Sequence, residues 1–157
     1  LFYHPADLYR IASQYESPFE FIKNEKEIFS TLKNGYKHDM EKALAIAPIH
    51  ASEKVAMLIL PNEKWARRVS GVVGNELANQ FPGRAHTILT ERAEKIDGEM
   101  TYQVSIRAPK NDPVGADVIA SKFGGGGRNG AAGVDKLMLS DVSYLANLLK
   151  SMGRHYE

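Results

Sequence analysis

The sequence of 157 residues contains no cysteine and only one tryptophan. The lack of cysteine excludes disulfide bonds and thiolate metal sites, and it is typical of a protein from a reducing compartment. The longest apolar run, residues 55–61, is far shorter than the roughly 20 residues that span a bilayer. We therefore expect a cytoplasmic protein with no membrane partner.

The sequence also lacks a strong net charge and a signal peptide. Its formal charge is +1, so no long-range basic field attracts nucleic acid, and recognition of an anion must be local. The first five residues have neither the basic region nor the long apolar region of a signal peptide. Because the chain begins with leucine, we expect a piece of a longer protein.

The first third of the chain is predicted to be helical. Apolar residues recur at helical spacing from Leu8 to Tyr15, with Asp7 at the cap or in the first turn. Ser17 is a good cap for a second helix, which Asn34-Gly35 is expected to end. A third, short helix is expected at 37–47, before Pro48.

The remainder is predicted to follow the order β-α-β-β-α-(glycine loop)-β-α. The expected elements are a strand at 54–60, a helix at 63–80, strands at 86–92 and 100–107 joined by the turn Asp97-Gly98, a helix at 114–123, an edge strand at 134–139 and a helix at 141–152. The fold class is α/β (α+β), a mixed β-sheet flanked by helices. We expect a helical connector at 1–50 and a second domain at 51–157.

Glycine is concentrated in one place, where six of the 13 glycines fall between Gly124 and Gly133. Such a run costs conformational entropy on folding, so a fold keeps it where the backbone must approach another group. One such group is an anion held by successive amides. The residues themselves leave two interpretations open, a phosphate cradle and a merely tight or flexible connection.

The glycine run does not match the common phosphate-binding fingerprints. A P-loop requires lysine and then serine or threonine, whereas Gly127 is followed by Arg128-Asn129. The predicted helix before the run also points its negative end toward the glycines, which disfavours an anion. Positive charge must therefore come from side chains, and Arg107, at the end of the preceding strand, is expected to come alongside Arg128.

The segment "FGGGGRNGAAG", with "VSIR" upstream, resembles the signature of the DHH-associated C-terminal domain of DHH-superfamily phosphoesterases. That family includes RecJ-like exonucleases, nano-RNases, cyclic-dinucleotide hydrolases and exopolyphosphatase-like proteins. Its pattern is a strand, an arginine, a helix and then F-G-G-G-G-H-x-x-A-A-G. Arg128 stands where the family has histidine, and Asn129 where it often has proline. The resemblance covers about the last two-thirds of the chain, 53–157.

By this resemblance, the chain is the substrate-binding half of a metal-dependent phosphoesterase acting on a nucleotide, an oligonucleotide or a polyphosphate. A separate N-terminal DHH domain in the same protein would carry the divalent cation, manganese or a similar ion. No catalytic residue, metal ligand or cofactor is expected in this chain. The resemblance implies that Arg107 and the glycines Gly124, Gly125, Gly126 and Gly127 contact the phosphates or the terminal nucleotide of the substrate. The loop residues Arg128 and Asn129 are further candidates for phosphate binding, and Lys122, next to the loop, is either an additional charge or a solvated helix end.

Other features of the sequence favour structural roles. The histidines His4, His38, His50, His86 and His155 show no ligand spacing. The basic residues Lys64, Arg67 and Arg68 are interpreted as a solvated helix face, with Trp65 in an apolar stripe. The remaining candidates, assigned to turn, helix-surface, core or sheet positions rather than to a site, are Asp112, Asp117, Tyr102 and Tyr144.

Two other functions remain open at this point. One is a non-catalytic module that binds single-stranded nucleic acid, against which the net charge of +1 argues. The other is a structural or dimerisation domain in which the glycine loop only connects two elements. A homodimer is compatible with any of the three.

Overall fold

A computed structural model describes residues 2–152 of the chain. Three helices come first, α1 (Pro5–Ala12), α2 (Pro18–Asn24) and α3 (Lys26–Leu44). The elements that follow are β1 (His50–Ala51), β2 (Val55–Leu60), α4 (Lys64–Gln80), β3 (Ala85–Ile96), β4 (Glu99–Arg107), α5 (Ala116–Ser121), β5 (Gly126–Arg128), β6 (Ala131–Met138), a 3-10 turn (Leu139–Asp141) and α6 (Val142–Lys150). The predicted α/β class is confirmed. None of the helices within 2–152 is both long and apolar enough to cross a bilayer.

The six strands form one mixed sheet in the order β1-β2-β3-β4-β6-β5. Strand β2 runs parallel to β3, and every other neighbouring pair is antiparallel. The predicted hairpin between β3 and β4 is confirmed. Asp97 and Gly98 have φ of 51° and 80°, as a two-residue turn with positive φ at both positions requires.

Helices cover the two faces of the sheet and form two apolar clusters. On one face, α3 and α4 pack over buried residues of β2 and β3 such as Leu58, Leu60 and Ile88. On the other face, α5 and α6 pack over residues of β2, β3, β4 and β6 such as Val104 and Val134. Within α6, Leu145 and Leu149 are fully buried. We call these surfaces the α4 face and the α6 face.

The predicted stop at Asn34-Gly35 is wrong, because α3 continues through it to Leu44. A Cβ at Gly35 would overlap the ring of Phe2, so this glycine lets the N-terminal segment lie on the helix. The predicted cap at Ser17 is confirmed, since its hydroxyl accepts from the amide of Glu20 at 3.2 Å. Asp7 lies in the first turn of α1, whereas His4 provides the cap.

The end of the chain also differs from the sequence prediction. Strand β6 begins at Ala131 and lies between β4 and β5, so it is an interior strand rather than an edge. The edge strand on this side of the sheet is β5, which includes the glycines Gly126 and Gly127 that were expected to be a loop. Pairing with β6 imposes the extended conformation, which the glycines' own preferences would not produce. Residues 153–157, including His155 and the predicted end of the second domain, lie outside the described residues.

Candidate anion-binding site

Arg107 and Arg128 lie on one face of the sheet, at the same level. Ala131 of β6 is the register partner of both, since β4 and β5 flank β6. Residues directly opposite one another point to the same face, which here is the α4 face. With strands about 4.8 Å apart, the two Cα atoms are separated by about 10 Å.

Arg107 is held in place by uncharged acceptors. Its Nε donates to Asn75 Oδ1 at 2.7 Å, and its Nη1 donates to Ser105 Oγ at 2.9 Å and to its neighbour's carbonyl at 3.0 Å. Its Nη2 donates to the carbonyl of Gly71 at 3.3 Å. Asn75 and Gly71 belong to α4, so this side chain joins the helix to β4 and is fixed before any ligand arrives.

The glycines of α4 make room for this arginine. A Cβ at Gly74 would lie 3.3 Å from Arg107 Cγ, and one at Gly71 would lie 3.9 Å from its Nη2. None of these neighbours (Gly71, Gly74, Asn75 and Ser105) was predicted from the sequence. Ser105 could have been found from strand alternation, because it lies two residues before Arg107 and shares its face. The contacts with α4 could not have been found in this way, because the α4 residues are more than 30 positions away from Arg107 in the chain.

The two arginines have no acidic partner among residues 2–152, where every carboxylate is farther than 4.0 Å from either guanidinium. Burial lowers the pKa of Arg107 from its ordinary value, and the positive charge of Arg128 lowers it further. An arginine remains protonated at neutral pH in spite of this. Two uncompensated positive charges on one face, one of them partly desolvated, favour an anion as the third partner.

The first two glycines of the run end helix α5. Gly124 has a φ of 73°, its amide donates to Ser121 O at 3.1 Å, and the amide of Gly125 donates to Ala120 O at 2.9 Å. These two bonds are those of a Schellman cap. The amides of Gly124 and Gly125 are therefore engaged within the protein, whereas Gly126 and Gly127 lie in β5, where successive amides point alternately toward β6 and toward the open edge of the sheet.

Three of the four glycines in the run have a steric or conformational requirement within the chain, and Gly126 has none. A Cβ at Gly125 would overlap the carbonyl oxygen of Gly133. A Cβ at Gly127, where φ is 153°, would lie 2.5 Å from the carbonyl oxygen of Ala131. A Cβ at Gly126 would meet no atom within 4 Å. Since Gly126 is paired with Gly133, this bare position lies on the α4 face, next to the arginines.

The turn after Arg128 is fastened to the rest of the domain. The carbonyl of Asn129 accepts from the amide of Ala116 at 2.9 Å, and that of Gly130 accepts from Ala108 at 3.0 Å. With its amide nitrogen facing Asp117, Asn129 donates to both carboxylate oxygens at 3.0 and 3.3 Å. Asn129 and Asp117 thus fix the backbone beside Arg128, which is itself exposed.

The other charged candidates do not join this site. Lys122 follows α5, which packs on the α6 face, and no hydrogen bond or ion pair of the described residues links it to either arginine. The prediction of a solvated basic face on α4 is wrong for Arg68. That side chain is 23% exposed, and it pairs with Asp39, which is 3% exposed, through bonds of 2.6 and 3.0 Å.

The remaining candidates have the following environments. Tyr102 is buried in the sheet, as predicted. Tyr144 is 50% exposed on α6 and packs edge-on against Phe123 at 5.7 Å, so its prediction as a core residue is wrong. Asp112 lies in the turn before α5, as predicted, where its carbonyl accepts from Val114. His86 is fully buried beneath α4.

A divalent metal does not fit the described part of this chain. Among residues 2–152, no three histidine, aspartate or glutamate side chains converge as a metal site requires. The histidines His86 and His50 lie on different strands, β3 and β1. Any metal chemistry would therefore need ligands from elsewhere.

Solved structures share this fold. An exopolyphosphatase-related protein from Bacteroides fragilis matches 82% of this chain over 39% of its own length, with a TM-score of 0.54 and 18% identity. A pGpG-specific phosphodiesterase, PggH, from Vibrio cholerae matches 90% of this chain over 48% of its own length, with a TM-score of 0.51 and 11% identity. The chain thus spans less than half of each protein. At these identities the likeness is one of fold.

No protein-family model and no curated protein matches the sequence. The assignment of a function therefore depends on the geometry of the arginine pair and on the fold.

Proposed function

We propose that this chain is the substrate-binding part of a phosphoesterase. In this proposal Arg107 and Arg128 hold a phosphate group of the substrate on the α4 face, and Gly126, which bears no side chain, lets the phosphate approach strand β5 closely. The observation that carries it is the pair of guanidiniums that flank Ala131, with no carboxylate of residues 2–152 within 4.0 Å of either. The fold shared with an exopolyphosphatase-related protein and a phosphodiesterase supports the same class of substrate.

The proposal divides the work between two parts of a longer protein. The fold neighbours are more than twice as long as the part that matches this chain, and residues 2–152 offer no metal-ligand cluster. We therefore assign the divalent cation, manganese or a similar ion, to a separate N-terminal domain of the DHH type. The role of this chain is to orient the substrate, which contributes to the rate through proximity.

The geometry gives the two arginines different tasks. Arg107 is locked by four hydrogen bonds to neutral groups, so it offers a fixed charge at the floor of the site. Arg128 is exposed and can move to meet a phosphate, which a guanidinium binds through two parallel bonds. Because Arg128 stays protonated at neutral pH, it can bind an anion but cannot transfer a proton as a histidine could. Asn129, held by Asp117, positions Arg128 in this scheme.

Titration calorimetry with a 5′-phosphorylated diadenylate tests the proposal. We expect Arg128→Ala to weaken binding by about tenfold or more, since a charge-assisted hydrogen bond contributes about 1.5–3 kcal/mol. The control is Lys64→Ala, another exposed basic residue on the same helix-covered side, and it should change the affinity less than about twofold. Equal effects of the two variants, or no effect of either, would refute the proposal. Circular dichroism verifies that each variant is folded.

A further inference from the structure

A groove runs along the sheet from Arg107, between α4 and strand β6. Its volume is about 250 Å³, and its lining includes Ser70, Gly71, Thr90, Gln103, Ser105 and Gly133. Two of these residues, Gly71 and Ser105, accept hydrogen bonds from Arg107. The groove therefore adjoins the arginine directly, and we call it the polar groove.

Three successive rows of side chains cross the sheet here, and the polar groove lies over the second and third of them. The first row, which we call the arginine row, contains Arg107 and Arg128. The second contains Ser105, Gly133 and Gly126, and the third contains Thr90 opposite Gln103. At about 3.4 Å per residue, each row is about 7 Å from the next, so the groove extends about 13 Å from the arginine row.

The chemistry of the polar groove differs from that of the arginine row. None of its lining residues carries a charge. Within residues 2–152, the side chains of Ser70, Thr90 and Gln103 have no hydrogen-bond partner, although each bears a donor and an acceptor. The glycines Gly71 and Gly133 leave a part of its lining without side chains.

These properties discriminate between two kinds of phosphate compound. A linear polyphosphate carries negative charge on every unit, and the units beyond the arginines would enter a neutral groove without a cationic partner, at a cost in desolvation. A nucleoside is uncharged, bears hydroxyl groups and ring donors and acceptors, and has a flat apolar face. Gln103 can form paired hydrogen bonds with a base edge, as glutamine does with adenine.

We propose that the polar groove binds the nucleoside attached to the phosphate held by Arg107 and Arg128. The ligand is then a nucleotide or short oligonucleotide rather than inorganic polyphosphate, and Gln103, Thr90 and Ser70 determine this specificity. The inference rests on the proposed function, because it takes the arginine row as the phosphate site.

The experiment compares two probes, the 5′-phosphorylated diadenylate and inorganic tripolyphosphate, by titration calorimetry. Gln103→Ala should weaken binding of the diadenylate by about 3- to 10-fold, the value of one or two neutral hydrogen bonds, and leave tripolyphosphate within about twofold. Arg128→Ala should weaken both probes. Thr90→Val, which removes a hydroxyl and conserves volume, repeats the test at a second residue and guards against misfolding of the first variant.

The outcomes separate the two proposals. If tripolyphosphate binds more tightly than the diadenylate, or if Gln103→Ala and Thr90→Val affect both probes equally, the nucleoside groove is overturned and the phosphate site stands. If neither probe binds, or if Arg128→Ala changes neither affinity, the phosphate site itself is wrong and the groove proposal is rejected with it. Binding of the diadenylate that depends on both Arg128 and Gln103 supports both.

Discussion

Asp39 of α3 and Arg68 of α4 form a bidentate ion pair beneath the surface, and Arg68 also lies over the ring of Phe2 at 4.3 Å. The pair fastens the third N-terminal helix to the helix that holds Arg107. The same contact brings Met40 and Ala43 of α3 into the apolar cluster on the α4 face. The division at residue 50 into a connector and a domain stays a prediction, and this packing shows that α3 contributes to the core on the α4 face.

The two partners of this pair should differ in their effect on stability. Arg68→Met strands a carboxylate that is 3% exposed, whereas Asp39→Asn leaves a guanidinium that is 23% exposed and can reach water. We expect a loss of about 3 kcal/mol in the free energy of unfolding for Arg68→Met and about 2 kcal/mol for Asp39→Asn, measured by urea denaturation. Arg10→Ala, which breaks an exposed pair with Asp7, is the control and should cost less than about 0.5 kcal/mol. A larger loss for Asp39→Asn would contradict this account.

The glycine run should respond position by position to alanine. Gly125→Ala and Gly127→Ala each place a methyl group against backbone atoms of β6, and we expect a loss of about 2–4 kcal/mol in stability from either. Gly126→Ala meets open space, so it should change stability by less than about 1 kcal/mol, and the lower entropy of the unfolded chain acts in its favour. Thermal or urea denaturation of the three variants measures the difference.

The same series tests the site, because Gly126 lies beside the arginine row. If Gly126→Ala keeps wild-type stability and weakens binding of the diadenylate, the bare position serves the ligand and not the fold. Stability losses as large at Gly126 as at Gly127 would show that the loop is packed differently from the structure.

The sequence predicted those parts of the fold whose signals are local. The hairpin at Asp97-Gly98 and the cap at Ser17 depend on residues within a few positions, and both are confirmed. The end of the second helix at Asn34-Gly35 was predicted wrongly, because packing of Phe2 on Gly35 comes from a segment 33 positions away. Strand β5 had no local signal, since its first two residues are glycines.

Part of the candidate site could also be predicted from the order of elements along the chain. The alignment of Arg107 with Arg128 was anticipated from the order strand, helix and loop, and the structure brings them to one face. The partners that fix Arg107, such as Asn75, and the groove residue Ser70 come from α4, whose position over the sheet is a tertiary result. Binding of phosphate by these residues stays a prediction.

Stability should depend on pH through His86. Burial lowers the pKa of His86. The hydrogen bond with the Phe81 carbonyl acts to raise this pKa, and the positive charge of Arg84 acts to lower it. The unfolded chain then takes up a proton below about pH 6.5 that the folded protein does not. Stability is therefore expected to fall as the pH drops below about 6.5, by at most about 1.4 kcal/mol per pH unit for this one group, and to be unaffected by it at higher pH.

His86→Gln isolates this contribution, because glutamine does not titrate and can still donate to the Phe81 carbonyl, which lies 3.4 Å from His86 Nε2. Urea denaturation of both proteins between pH 5 and 8 should show a shallower decline at acidic pH for the variant. Parallel pH profiles for the two proteins would mean that His86 titrates alike in the folded and unfolded states.

Salt dependence distinguishes the proposed site from a general single-stranded nucleic-acid module. The arginine row can neutralise one or two phosphates, and each contact with a single strand contributes about −0.7 to the slope of log K against log salt concentration. We expect a slope between about −0.7 and −1.4 for 5′-phosphorylated oligothymidylates, measured by calorimetry from 50 to 300 mM salt, with the same slope for a dimer and a dodecamer.

A module that follows the backbone over many nucleotides would behave differently, since each added phosphate contact steepens the slope and lengthens the site. A dodecamer that binds with a slope near −3 or steeper, while the dimer binds weakly, would favour that module over the end-binding site. The charge distribution argues for the shallow slope. The net charge is +1, Arg68 is neutralised by Asp39, and the groove beyond Arg107 carries no charge, so no continuous basic track leads from the two arginines within the described residues 2–152.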